Sequence, residues 1–150
     1  MSITDFLTNR VLLSALLPWG LAQILKIPLE YITTKRWNWS LLLRAGGMPS
    51  SHSALVAGAC HAIGLRAGFG SPAFALSFVL AMIVIYDATG IRRQAGKHAE
   101  IINAIVEDLA AGHPVQQEKL REVLGHTPLE ALAGTILGIL FAQVLWMIGF

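Results

Sequence analysis

Two histidines stand where helices should begin. His52 lies in Gly46-Gly47-Met48-Pro49-Ser50-Ser51-His52-Ser53, and His126 in Gly125-His126-Thr127-Pro128-Leu129-Glu130. In the first stretch Gly46 and Gly47 free the backbone, Pro49 suits a helix entrance, and the serines supply N-caps. A helix starting there aims unpaired N–H groups and its positive dipole end at the loop, an arrangement that binds anions. His52 is placed there to donate a proton near neutral pH, with Ser50 and Ser51 as phosphate contacts. A plain capped helix with an interfacial histidine is the simpler alternative. The crowding of glycines, proline and serines around one imidazole favours the anion site. In the second stretch, Thr127 to Glu130 fits a capping box with Pro128 at the first helical position. His126 falls just outside that helix, where a neutral imidazole could attack phosphorus. Glu130 has two readings, and both stand: it caps the helix, or it orients the imidazole and fixes its tautomer.

A third stretch, Tyr86-Asp87-Ala88-Thr89-Gly90-Ile91-Arg92-Arg93, puts a carboxylate at the end of an apolar run. Such a group needs a partner or water. Arg92 and Arg93 are candidate partners for Asp87, and their guanidinium groups also suit phosphate oxygens. Equally, they read as membrane-side anchor charges. Lys26 lies one helical turn from Gln23 and fits either a phosphate contact or a lysine reaching for headgroups. Lys35, Arg36 and Arg44 read as topology charges. His61 sits in a helix pattern as a packed or hydrogen-bonded core residue, and His98 and His113 read as solvated. No His/Cys/carboxylate spacing demands a metal, and no cofactor is expected. Cys60 is the sole cysteine, so no disulfide can form within the chain.

These residues need elements to hold them, and composition says which. Apolar residues make up 55% of the 150, charged residues 13%, and mean hydropathy is +0.61. That is too little charge to coat a water-facing globule, for which about 25% is usual. The net charge of +2 comes without a basic run or stacking platform, which argues against nucleic acid. A bilayer crossing takes about 20 mostly apolar residues. Val11 to about Leu29, Ala67 to Tyr86 and Ala131 to Phe150 fit. Ser53 to Leu65 is apolar but short, either a thin span or a helix shielded by the others, and its small residues permit close packing.

The expected architecture is therefore all-α: one membrane-embedded domain over residues 1–150, with about four spans, one of them short. Four crossings place the 26–52 connection, Asp87 and Thr127 at one face. Most of the lysines and arginines gather there, which makes that face cytoplasmic, or its stromal or matrix equivalent. Between the last two spans, residues 87–127 form the only sizeable polar segment. Lys97 to Ala111 carries a helical apolar stripe through Ile101, Ile105 and Leu109, and Glu118 to Leu124 suggests a further short turn.

Together the three stretches resemble the divergent branch of the type-2 phosphatidic acid phosphatase superfamily, described as acid phosphatase/vanadium-dependent haloperoxidase-related. The resemblance spans nearly the whole chain. It implies metal-independent phosphate-ester hydrolysis at the end of a helical bundle. Ser50 would bond phosphate, His52 protonate the leaving oxygen, and His126 act as nucleophile oriented by Glu130. Vanadate would bind in the same pocket. The chain departs from the wider superfamily at named places. Ser51 replaces a glycine and Glu130 an aspartate. Leu120 stands where an arginine is expected, with Arg121 next to it, and the first superfamily motif is absent, Lys26 and Arg36 being loose stand-ins.

The leading expectation is thus a membrane phosphatase-like protein acting on a phosphorylated lipid or isoprenoid. The alternatives are phosphate-headgroup binding without chemistry and a helical assembly or scaffold role. Membrane lipid is an expected partner in each case, and a homo-oligomer is compatible with all three.

Overall fold

The computed structural model describes residues 4, 8–42, 46–110 and 125–149; at residues 91–93, 108 and 110 the backbone alone is described. The expected turn at 118–124 and His113 lie outside these residues. Five α-helices are present among them: α1 (Arg10–Thr34), α2 (Ser51–Ala67), α3 (Pro72–Thr89), α4 (Ile91–Ala110) and α5 (Pro128–Met147). A 3₁₀ turn, Trp39–Leu42, follows α1.

Each apolar helix has a local reason to begin where it does. Asn9 caps α1, its side chain accepting the Leu12 N–H at 3.1 Å. Ser50 caps α2 through the Ser53 N–H at 3.3 Å. Ser71 caps α3 through the Phe74 N–H at 3.2 Å, with Pro72 at the first position, where its missing N–H costs nothing. This pair moves the start of α3 to Pro72 from the Ala67 expected on composition alone. Thr127 caps α5 with the full reciprocal box to Glu130. Lys35 ends α1 in the left-handed conformation, its N–H bonded to the Tyr31 carbonyl at 2.9 Å.

The short helix is the centre of the bundle. α2 packs against α1, α3 and α5, whereas α3 and α5 hardly touch each other. Its 17 residues reach about 25 Å, and its neighbours shield it from lipid. Small residues make this possible. A Cβ on Gly58 would stand 2.3 Å from the Ser14 carbonyl oxygen of α1, and one on Gly138 2.4 Å from that of Ala54. With no hydrophobic force acting between helices in lipid, such close approach provides the packing energy.

Three helices, α1, α5 and the stretch beginning with α3, are long and apolar enough to cross a membrane. Their surfaces are inverted relative to a water-soluble protein. Leu76, Leu80 and Ile83 of α3 and Leu132, Ile136 and Leu140 of α5 point outward, while buried positions hold alanine, glycine and serine. Outward leucine and isoleucine belong in hydrocarbon, and the helices satisfy their own backbone there. The bundle is all-α, as expected. The polar segment differs in one respect: its helix starts at Ile91, directly after Gly90, so Arg92 and Arg93 lie on its first turn. Ile101, Ile102, Ile105 and Leu109 form an exposed apolar stripe along α4.

Candidate phosphate site

The directions of the helices decide what meets at the site. α1 and α3 run antiparallel to α2, and α5 runs parallel to it, with Ser50 beside Glu130 at one end and His61 bonded to Gln143 toward the other. One end of the bundle therefore collects the last turns of α1 and α3 and the first turns of α2 and α5. Two helix N-termini, each with its histidine, face the same small space. The rings of His52 and His126 lie 6.1 Å apart between centroids, tilted by 58°.

His126 is held at two points. Its N–H donates to the Ala88 carbonyl at the end of α3, at 2.8 Å. Its Nδ1 lies 3.0 Å from Glu130 Oε2, and its side chain is 2% exposed. Its Nε2 is buried and, among the described residues, has no hydrogen-bond partner. Buried polar atoms are rarely left so. The two readings of Glu130 prove compatible. The same Oε2 takes the Thr127 N–H at 3.2 Å and holds His126 Nδ1, so capping and orienting share one oxygen.

The first motif folds against this pair. Gly46 and Gly47 have φ of 100° and 78°, which side-chain-bearing residues seldom adopt. They turn the chain over the Lys26 stem, and the cis Met48–Pro49 bond leads into the cap. Pro49 is buried just before Ser50 rather than inside the helix. Ser50 is fully buried, and its N–H donates to the Glu130 carbonyl at 2.9 Å. Its Oγ accepts from the Ser53 hydroxyl at 3.1 Å, which leaves its own proton available to donate.

Lys26 supplies the cation. It is 2% exposed, although it sits on an apolar helix. Its Nζ donates to Gln23 Oε1 and reaches Ser51 Oγ at 3.5 Å, and it feels the charge of Glu130. Gln23 in turn donates to the Leu42 carbonyl at 2.9 Å, tying α1 to the 3₁₀ turn. A lysine snorkelling to headgroups would be exposed, so this geometry leaves the inward reading of Lys26.

Lys26, Ser50, Ser51, His52, His126 and Glu130 thus come together, with Gly46, Gly47 and Pro49 framing them. Asp87 is half-buried on the last turn of α3, next to the residue that holds His126. Its expected pairing with Arg92 or Arg93 falls on side chains outside the described ones, as does the phosphate role given to those arginines. Arg44, Leu120 and Arg121 also lie outside the described residues. His61 is a hydrogen-bonded core residue, 2.9 Å from Gln143 Oε1. Among the described residues no group of three or more metal-ligating side chains forms.

Sequence reasoning missed Gly134. A Cβ there would lie 2.1 Å from the Ser50 carbonyl oxygen, so this glycine sets the approach of α5 to the first motif. The signal was present as Gly134-Thr135-Ile136-Leu137-Gly138, the small-xxx-small spacing of closely packed membrane helices.

Comparison with known proteins shows the family of the chain. A protein of Bacillus subtilis (strain 168), described as the uncharacterized membrane protein YuiD, is 41% identical over 152 residues, covering 94% of this chain and 96% of that one. No solved structure matches the chain. The model of the Divergent PAP2 family matches residues 7–141, a span that takes in all three motifs, and the chain belongs to that family.

Proposed function

We propose that the protein hydrolyses a phosphate ester of a membrane lipid or isoprenoid through a histidine nucleophile. The observation that carries this reading is His126: Nδ1 held by Glu130, Nε2 buried and without a partner among the described residues, and a second imidazole 6.1 Å away. An imidazole oriented through one nitrogen presents the lone pair of the other.

In the first step His126 Nε2 attacks phosphorus and the bond to the ester oxygen breaks. His52 gives its proton to the departing oxygen, so the alcohol leaves neutral. In the second step water attacks the phosphohistidine. His52 takes the proton back, and phosphate leaves with His126 restored. Lys26, Ser50, Ser51 and the two helix N-termini stabilise charge on the equatorial oxygens, with Arg92 and Arg93 as further contacts. On the same proposal the site faces the cytoplasm, as the distribution of lysines and arginines favours.

Turnover by purified protein in detergent, with trapping of phosphohistidine, tests the mechanism. His126→Ala should abolish the phosphoenzyme, and His52→Ala should slow turnover roughly 10²–10⁴-fold. Activity that survives both substitutions removes the mechanism.

A second reading is favoured by how fully the motifs satisfy themselves. Ser50 caps α2, Ser51 takes Lys26, and Thr127 and Glu130 close a box. Nε2 of His126 is also shut off from solvent. On this reading the protein is a helical assembly module. Normal cellular function after loss of both histidines would favour it.

A further inference from the structure

Below the histidines, where α3 and α5 diverge, a cleft of about 210 Å³ opens over α2. We infer that it seats the hydrocarbon tail of the phosphorylated lipid and that its aromatic far end limits tail length. This deepens the function proposed above and rests on it.

Continuity with the site identifies the occupant. The upper wall includes Ile85, one turn before Ala88, whose carbonyl holds the His126 N–H. On α5 it includes Thr135, whose hydroxyl is tied off to the Ala131 carbonyl at 2.9 Å, and on α2 it includes Ala57, five residues past His52. These wall residues lie about one to two and a half helical turns from Ala88, His52 and His126, on the helices that begin or end at the site. On this inference a molecule with its phosphate at His126 lays its ester substituent in this gap.

The chemistry of the walls fits a tail and little else. Ala81, Ile85, Ile139 and Cys60 line it, and the Ser77 hydroxyl is turned to the Phe74 carbonyl at 2.8 Å. The cleft faces outward between Phe78, 51% exposed, and Ile139, 37% exposed, so a lipid enters sideways from the bilayer.

The far end is built as a stop. Phe69, Phe74 and Phe78 pack in sequence, the first pair edge-on and the second tilted, with centroids 5.1 and 6.0 Å apart. Phe69 lies on Gly64, where a Cβ would meet its ring at 2.4 Å, and against His61, which Gln143 holds. From Ile85 to Phe74 the wall runs about 16 Å along α3, at ~1.5 Å per residue.

The test is the affinity of n-alkyl phosphates, from hexyl to octadecyl, for purified protein in a short-chain detergent, measured by competition with vanadate. Affinity should rise with tail length and then level off once the tail reaches Phe74. Ala81→Trp should weaken the longer alkyl phosphates at least tenfold and leave vanadate affinity within twofold. Phe74→Ala should move the plateau to longer tails. Equal affinity for all tails in the wild type, or an unmoved plateau in Phe74→Ala, overturns the tail seat while vanadate binding keeps the phosphate site. An Ala81→Trp protein that binds vanadate and long tails like wild type overturns it as well. Should Ala81→Trp fail to fold, Phe74→Ala alone decides. If neither vanadate nor any alkyl phosphate binds the wild type, the phosphate reading fails first and the tail seat with it.

Discussion

Replacing Gly134 by alanine is the sharpest perturbation the fold offers, because it changes the site without touching a polar group. The new Cβ would stand 2.1 Å from the Ser50 carbonyl oxygen, with Ser50 C and N at 3.0 and 3.1 Å. All three atoms are backbone, so none can swing aside. Ordinary contact begins at about 3.4 Å, so α5 must retreat from the start of α2 by roughly an ångström. The Ser50 N–H bond to the Glu130 carbonyl, now 2.9 Å, would then stretch past bonding distance. Overpacking of this kind costs about 1–3 kcal/mol. A catalytic group displaced by about an ångström costs about 10²-fold in rate. Gly20→Ala, on α1 with nothing within 4 Å, is the matched control. Thermal unfolding in detergent, vanadate affinity and turnover should all fall in Gly134→Ala and hold in Gly20→Ala. If the two variants behave alike, the close α2–α5 approach does not position the site.

Other substitutions separate the roles within the site. Glu130→Gln keeps an oxygen for the Thr127 N–H, so melting should stay close to wild type while turnover drops at least tenfold. Glu130→Ala should lose turnover and also about 1 kcal/mol of stability, read by thermal unfolding, because the cap goes too. Lys26→Met should leave the fold intact or slightly more stable, since a buried charge is replaced by a chain of similar volume. Its vanadate affinity should fall about 10–100-fold, the worth of a charge-assisted hydrogen bond. Gln143→Leu should lower stability by about 0.6 kcal/mol, typical of interhelical hydrogen bonds in membranes, with vanadate affinity unchanged. A large loss of vanadate affinity there would couple His61 to the site, contrary to this account.

The convergence of His52 and His126 was legible because it follows from counting crossings. Four apolar segments, with the short Ser53–Leu65 stretch counted as a crossing, put residues 52 and 126 on one face, and the caps at Ser50 and Thr127 follow from side-chain chemistry alone. The position of Lys26 was left open, because one helical turn to Gln23 says nothing about which way the chain faces. Only the packing of α2 against α1 turned it inward. The dual role of Glu130 was invisible for a different reason. Spacings of three to Thr127 and four to His126 suggest competition, and only geometry shows one oxygen meeting both. The cleft below the site depends on α3 and α5 diverging over α2, a relation between segments far apart in sequence. The start of α4 was misplaced because the Arg92-Arg93 pair reads as a membrane-edge signal and masks helix continuation after Gly90.

The central claim is that the two imidazoles face one anion. Nitrogen chemical shifts of ¹⁵N-histidine-labelled protein in detergent, followed through a vanadate titration, test it most directly. His126 Nε2 and the His52 ring should shift together with one saturation curve, while His61, paired with Gln143, stays where it was. Vanadate that binds without moving either resonance, or that moves His61 as much as His126, would contradict it.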